Sequence, residues 1–364
     1  MSNSLDENRN PPVSVLMPAF NCARYLTAAM ESILSQTFRE FEFVVVDDGS
    51  TDGSSEILDA FAKLDKRVRV LHQQNTGYVI ALQNGLRLCT GEFIARMDAD
   101  DIAMPERIEK QFEHFQRNPG TALVGCEFYD IDENGAILSQ GEYPYVTNRV
   151  IRWLLLLCNP MLHPGAMFRR TDILALGGYR QEFYSAEDYE LWTRLCTRGT
   201  LSNIPMKLMK KRFHAGSVSV QMQEKQAKMT AEISLQYTKA EFPQLDAEAI
   251  SALSKFLTDG KPPKFGVSRL AYAFEAMAKL LSDEDDHQNP EAIHALGAMR
   301  ARFGWSFQAL ARRSWCRPLA FVSYMRAGRR FDPANQSASA VIARKLRRGR
   351  KAKVESGSPQ EVSS

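Results

Sequence analysis

Phe41-Glu42-Phe43-Val44-Val45-Val46-Asp47-Asp48 is an apolar run of strand length that ends on two acids. An almost unbroken series of aromatic and β-branched side chains marks a strand buried on both faces, as in a parallel sheet covered by helices. Comparable runs lie at Val13 to Met17, Val68 to Leu71, Phe93 to Met97 and Ala122 to Cys126. Between the first two, Leu26, Ala29, Met30, Ile33 and Leu34 recur at helical spacing; Ile57, Leu58 and Phe61 do the same before the third. The alternation predicts an α/β fold, a Rossmann-like, mainly parallel sheet flanked by helices.

Open sheets of this kind bind ligands beyond the carboxyl ends of their strands. That rule draws attention to Pro18-Ala19-Phe20-Asn21, Asp47-Asp48-Gly49-Ser50 and Asp98-Ala99-Asp100-Asp101. Asp98 and Asp100 are two apart at a strand end, so both carboxylates fall on one side of the chain. Three carboxylates within four residues repel one another unless a cation sits among them. Mg²⁺ and Mn²⁺ take oxygen ligands and bridge carboxylates to phosphates. An isolated D-x-D is more often a solvated turn that caps the next helix, so the cluster gains weight only from its neighbours.

Asp48 is one neighbour: an ionised carboxylate accepts only, and suits the ring N–H of a base or a ribose hydroxyl. Gly49 to Ser54 fit a tight turn and a helix N-cap without any ligand. Phe20 either lines a nucleobase or belongs to the core. In Ser185-Ala186-Glu187-Asp188, Ser-x-x-Asp matches a capping box. Asp188 also heads an apolar stripe with Leu191, Trp192 and Leu195, with Glu187, Glu190 and Arg194 off it. That spacing predicts an inward acid able to take a proton from a hydroxyl. Arg212, His214, Ser217 and Ser219 form a polar cluster that either closes on phosphate or is a solvated face. His163 either touches substrate or satisfies a backbone group.

At 364 residues, 44% hydrophobic and 24% charged, the chain has the composition of globular protein with a substantial core. Cys22, Cys89, Cys126, Cys158, Cys196 and Cys316 show no metal-ligand or redox spacing, which fits reduced thiols. The first twelve residues carry no signal-peptide pattern, and the longest aliphatic run, Trp153 to Cys158, is far short of the roughly 20 residues that cross a bilayer. A cytoplasmic protein is expected.

The net charge of +3 hides an asymmetry: residues 300–353 hold fifteen Lys or Arg against one acid, Asp332, so the remainder is net acidic. The expected organisation is a disordered N-terminus (1–12), a sheet domain (13–222), a helical region with an amphipathic basic segment (223–332) and a basic disordered tail (333–364). Trp305, Phe307, Trp315, Phe321 and Tyr324 interleave with Arg302, Arg312, Arg313 and Arg317, a pattern suited either to an anionic membrane surface or to a packed helical hairpin with a solubilising tail, membrane contact being the expectation. No nucleic-acid reading module is present, so no nucleic acid partner is expected.

Taken together, Val13-Ser14-Val15-Leu16-Met17-Pro18-Ala19-Phe20-Asn21, Asp47-Asp48-Gly49-Ser50-Thr51-Asp52, Asn75-Thr76-Gly77, Gly91 through Asp101, His163-Pro164, Gly177-Gly178-Tyr179, Glu187-Asp188 and Arg212-Phe213-His214 resemble glycosyltransferase family 2. These are inverting nucleotide-sugar enzymes with the GT-A fold. The resemblance implies Pro18, Phe20, Asp48 and Asp98 at the donor nucleotide, Asp100 with Asp98 on Mg²⁺ or Mn²⁺, and Asp188 as general base. It places His163, Glu187, Arg212 and His214 near the diphosphate or acceptor. A nucleotide-sugar donor, a UDP-sugar first, and a glycan or lipid-linked acceptor are implied as well; the basic C-terminal segment would add peripheral attachment to the cytoplasmic face of the inner membrane. Gln83 departs from the family, where Asn is common, which bears on the donor pocket. The alternative is an inactive relative that keeps the fold to bind sugar or a partner.

Overall fold

A computed structural model describes residues 10–259 apart from 142–146, 157, 215 and 217–221. Residues 1–9, the expected C-terminal tail, the basic stretch 300–353, Ser217 and Ser219 lie outside the described residues, while Pro12, expected in the disordered N-terminus, accepts from Phe93 N–H (3.1 Å).

Among the described residues, one sheet of nine strands organises the fold. The strands are β1 (Val13–Ala19), β2 (Phe41–Asp47), β3 (Val68–His72), β4 (Phe93–Arg96), β5 (Ile102–Ala103), β6 (Thr121–Ile131), β7 (Ile137–Gly141), β8 (Met167–Arg169) and β9 (Thr200–Arg212). Their order is β3-β2-β1-β4-β8-β6-β9-β5, with β7 added on β6. The first four are parallel, as the apolar runs predict. Beyond β4 the sheet is mixed: the run at Ala122 to Cys126 does not adjoin β4, because the three-residue β8 lies between them, antiparallel to both. Arg107 stitches this seam from beneath. Fully buried, it donates to the carbonyls of Arg96 (2.5 Å) and Ala166 (3.4 Å).

The helices are α1 (Ala23–Leu34), α2 (Ser54–Leu64), α3 (Tyr78–Leu88), α4 (Arg107–Arg117), α5 (Asn148–Leu154), α6 (Arg170–Ala175), α7 (Glu187–Leu195), α8 (Gln223–Glu241) and α9 (Ala247–Asp259). Alternation along β1 feeds two cores. Val13, Val15 and Met17 pack with Leu26, Met30 and Ile33 of α1, while Leu16 points to the other face with α3 and α7. Burying Leu26, Met30 and Ile33 contributes roughly 1.5–3 kcal/mol each. Ile233 and Tyr237 of α8 and Leu253 of α9 belong to the same core as Leu16, so the described helices after residue 222 extend that core.

The Gly49 to Ser54 turn leads into α2 as expected, with Asp52 accepting from Ser54 N–H (3.1 Å), and it also serves the neighbouring helix. Gly53, with φ of 94°, is the N-cap of α2 and offers no side chain. The hydroxyl of Ser54 instead accepts from Cys22 N–H (3.0 Å), and Asp52 accepts from Ala23 N–H (3.0 Å). Asn21 and Thr51 are joined in the same way. The loops after β1 and β2 are therefore one unit, and α1 starts on donors satisfied by the neighbouring loop.

Gly85 lies inside α3, where Ala would ordinarily gain about 1 kcal/mol of helix stability. Here a Cβ would stand 2.3 Å from Leu16 Cδ1 and 2.8 Å from Val46 Cγ2, both fully buried. Overpacking of about 1–3 kcal/mol should win. Gly85→Ala is expected to lower the urea midpoint; an unchanged or raised midpoint would show that α3 shifts freely over the sheet.

Candidate active site

Asp47 and Asp48 end β2 with different duties. Asp47, almost fully buried, accepts from Ser50 N–H (3.0 Å) and the Ser55 hydroxyl (2.5 Å) and lies 2.9 Å from His72 Nδ1. Those bonds hold its carboxyl below the usual range despite burial. Asp48 accepts from Gln73 Nε2 (2.7 Å), Thr76 N–H (2.9 Å) and Gly77 N–H (2.9 Å). In this structure Asp48 thus fixes the 73–77 loop beside the strand end. Phe20 is 48% exposed, which excludes the core alternative. Pro18 is buried within β1, opposite Val46 and past Leu16, the last residue of β1 registered with β4. It shapes the strand end.

At the end of β4, Asp98, Asp100 and Asp101 each offer one carboxylate oxygen within 4.8 Å of the others. Three elements hold them there. Buried Arg96 pairs with Asp98; His214 Nε2 lies 2.9 Å from Asp100; and Arg212 N–H donates to Asp101 (2.7 Å). Asp101 therefore anchors β9 and does not cap α4, whose N-cap is Glu106. Burial, then the charges of Asp100 and Asp98, push the Asp101 carboxyl well above the usual carboxylate range. Crowded hard oxygen donors short of positive charge suit Mg²⁺ or Mn²⁺.

Arg212 reaches the cluster from behind. Its guanidinium donates to the carbonyls of Asp100 (2.8 Å), Asp132 (3.0 Å) and Glu133 (3.2 Å) and stacks on Tyr25. In this structure it supports the loop that carries Asp100 and is buried, which sets aside the solvated-face alternative for Arg212. The Gln83 amide bonds Gly177 C=O (2.8 Å) and Tyr179 N–H (3.0 Å).

A buried polar series leads from the acidic cluster to α7. Tyr78 hydroxyl lies 3.5 Å from Asp98 and 3.4 Å from His163 Nδ1. His163 Nε2 meets Tyr179 hydroxyl at 2.9 Å, and Nδ1 lies 3.9 Å from Glu187. Burial, then the Arg96 charge, pull the His163 pKa well below its ordinary value, so the ring is neutral. Burial, then Asp188, push Glu187 up to about 8. Both partners are neutral near pH 7, and their contact is not an ion pair.

The capping-box expectation fails at α7. Its N-cap is Ala186, and Ser185, with φ of 85°, caps nothing with its buried hydroxyl. Glu187, not Asp188, reaches back to Ser185 N–H (2.9 Å). Asp188 is half-buried, takes Tyr189 N–H (2.7 Å) on one oxygen and Asn159 Nδ2 (2.7 Å) on the other. Burial raises its pKa, as a base needs. The expectation that Glu187 and Glu190 lie off the buried stripe is also corrected: both are buried. Glu190 is offset by Arg194 (2.6 Å) and Arg180 (3.1 Å).

Residues 14–176 match the model of glycosyl transferase family 2. An uncharacterized glycosyltransferase of Haemophilus influenzae is 34% identical over 222 residues, covering 57% of this chain and 68% of that protein. The chain belongs to glycosyltransferase family 2. An O-antigen biosynthesis glycosyltransferase of Escherichia coli, WbnJ, is 32% identical and covers 56% of this chain and 80% of its own length. Among solved structures, S. aureus TarS residues 1–349 in complex with UDP-GlcNAc superposes with a TM-score of 0.54 at 18% identity, covering 82% of this chain and 83% of that one. The GT-A fold is shared with that enzyme.

Within this glycosyltransferase, sequence reading missed Arg96, Tyr78, Tyr179 and Asn159. Arg96 was detectable: a charge inside the run Phe93 to Met97, two residues before Asp98, shares its side of the strand.

A carboxyl raised on folding binds a proton that the unfolded chain has released. Stability therefore falls as pH rises from about 4.5 toward about 8 on account of Glu187. Glu187→Gln should reduce this slope and melt at higher temperature than wild type at pH 8. Parallel melting curves from pH 5 to 8 for the two proteins would contradict the buried, neutral Glu187.

Proposed function

We propose that this glycosyltransferase moves a sugar from a nucleoside diphosphate, a UDP-sugar first, to a hydroxyl of a glycan or lipid-linked acceptor with inversion. The observation that carries the reading is the joining of the acidic cluster to Asp188 through Tyr78, His163 and Glu187. Asp98 and Asp100 would hold Mg²⁺ or Mn²⁺, which when bound supplies positive charge to the departing diphosphate. Asp188 receives the acceptor proton as the hydroxyl oxygen bonds to the anomeric carbon and the carbon–diphosphate bond breaks. One displacement inverts the configuration. His214 and Arg96 keep Asp100 and Asp98 in place, and exposed Phe20 offers a face for a nucleobase.

The name of the O-antigen relative supports a role in surface polysaccharide or glycoconjugate synthesis. No helix among the described residues is long and apolar enough to cross a membrane. The fifteen Lys or Arg of residues 300–353 suit an anionic leaflet at about 1 kcal/mol per charge near the surface, beside a lipid-linked acceptor in the cytoplasm.

Calorimetric titration with UDP, with and without Mn²⁺, tests the donor site. Affinity should rise at least about tenfold with Mn²⁺, and Asp100→Ala should remove that gain. Asp188→Asn should keep it while sugar transfer, or hydrolysis of a panel of UDP- and GDP-sugars, falls by about 10²–10⁴. UDP binding indifferent to Mn²⁺ and to Asp100→Ala would refute the metal assignment; full turnover in Asp188→Asn would refute the base.

A further inference from the structure

Asp188 would be a poor base if its carboxylate could rotate, because the acceptor proton must meet one lone pair. The structure shows what stops it. Asn159 follows α5 and precedes Pro160, which confines its backbone to extended conformations. Its Oδ1 accepts from Met161 N–H (3.1 Å), and that bond fixes which end of the amide is which. The N–H₂ end is thereby aimed at Asp188 Oδ2 (2.7 Å). Tyr189 N–H occupies Oδ1 from the opposite side.

The mount is rigid. Pro160 and Met161 are buried, and Pro160 C=O accepts from buried Asn203 (3.4 Å). Tyr189 hydroxyl donates to Leu155 C=O (2.5 Å), tying α7 to the end of α5 shortly before Asn159. The Ser234 hydroxyl of α8 bonds Leu156 C=O in the same stretch.

We propose that Asn159 is the positioning residue of this site, orienting the Asp188 carboxylate and favouring its ionised form. The inference rests on the reading of Asp188 as base. An amide N–H stabilises a carboxylate but not the protonated acid on the same oxygen, so it opposes the burial that raises Asp188. The other groups that bear on Asp188 are Glu187 on its own helix, Arg96 from β4, Lys211 from β9 and Tyr179 before α7. All remain in Asn159→Ala, so a shift measured there reports the lost amide N–H, whereas Asn159→Asp adds a carboxyl charge of its own.

The test is carboxyl titration of the full chain labelled with [γ-¹³C]aspartate, the Asp188 resonance being the one absent from Asp188→Asn. Asn159→Ala should raise its midpoint by about one pH unit, a tenfold gain in proton affinity. Asn159→Asp, which keeps an acceptor for Met161 N–H but presents an oxygen to Asp188, should raise it further. The acid limb of Mn²⁺-dependent UDP-sugar hydrolysis should move to higher pH with it, while UDP affinity stays within about twofold. An unmoved midpoint in folded Asn159→Ala overturns the proposal; should that variant fail to fold, an unmoved midpoint in Asn159→Asp overturns it. Wild-type hydrolysis in Asp188→Asn would instead remove the base reading and leave the titration result standing.

Discussion

Three carboxylates gathered at one strand end are the constraint around which this molecule is arranged. Two like charges 4 Å apart repel by about 4 kcal/mol at the effective dielectric of a partly buried site. The chain meets that repulsion from three directions: the Arg96 side chain within the same strand, the Arg212 backbone N–H at the end of β9, and His214 just after it. The last two explain why β9 runs the length of β6 and pairs with the two-residue β5: Ile102 lies opposite Lys210. Arg212 then commits its guanidinium to carbonyls of the loops around the cluster. The mixed half of the sheet is thus the frame of the acidic site.

The same buried cation organises the other end of the cleft. Arg96 lies beneath Tyr78, whose hydroxyl is shared between Asp98 and His163, and its charge helps keep His163 neutral. Neutral His163 and protonated Glu187 can be buried side by side without an unpaired charge, which would cost several kcal/mol. Asp188, the neighbour of Glu187, is the carboxyl left to titrate in the open part of the site. The result is an electrostatic division of labour: Asp98 and Asp100 offer the negative charge that would hold a cation for the leaving group, and Asp188 is raised where a proton would be taken.

Much of this was readable from residues alone, for definite reasons. The runs ending at Met17, Val46, Leu71 and Met97 became parallel strands because strands covered on both faces need uninterrupted apolar side chains, and the acids that come next could only fall at the carboxyl edge. The stripe Leu26, Ala29, Met30 and Ile33 became the buried face of α1. The rest depended on contacts far apart in the chain. β8 is too short to announce itself, so the antiparallel seam at Ala122 to Cys126 was hidden. Helical periodicity misplaced Glu187 and Glu190 because α7 is covered on more than one side, with Arg180, Arg194 and α8 around it. Asn159-Pro160 reads as a turn and carries no local sign that its amide meets an acid 29 residues later.

The proposed chemistry requires that the acidic cluster and Asp188 face the same bound nucleotide-sugar. Anomalous diffraction from crystals grown with Mn²⁺ and UDP tests it most directly. A manganese peak is expected on the Asp100 carboxylate beside the diphosphate, with the uracil toward Phe20 and the terminal phosphate on the side of Asp188. A peak away from Asp98 and Asp100, or a diphosphate turned from Asp188, would contradict it.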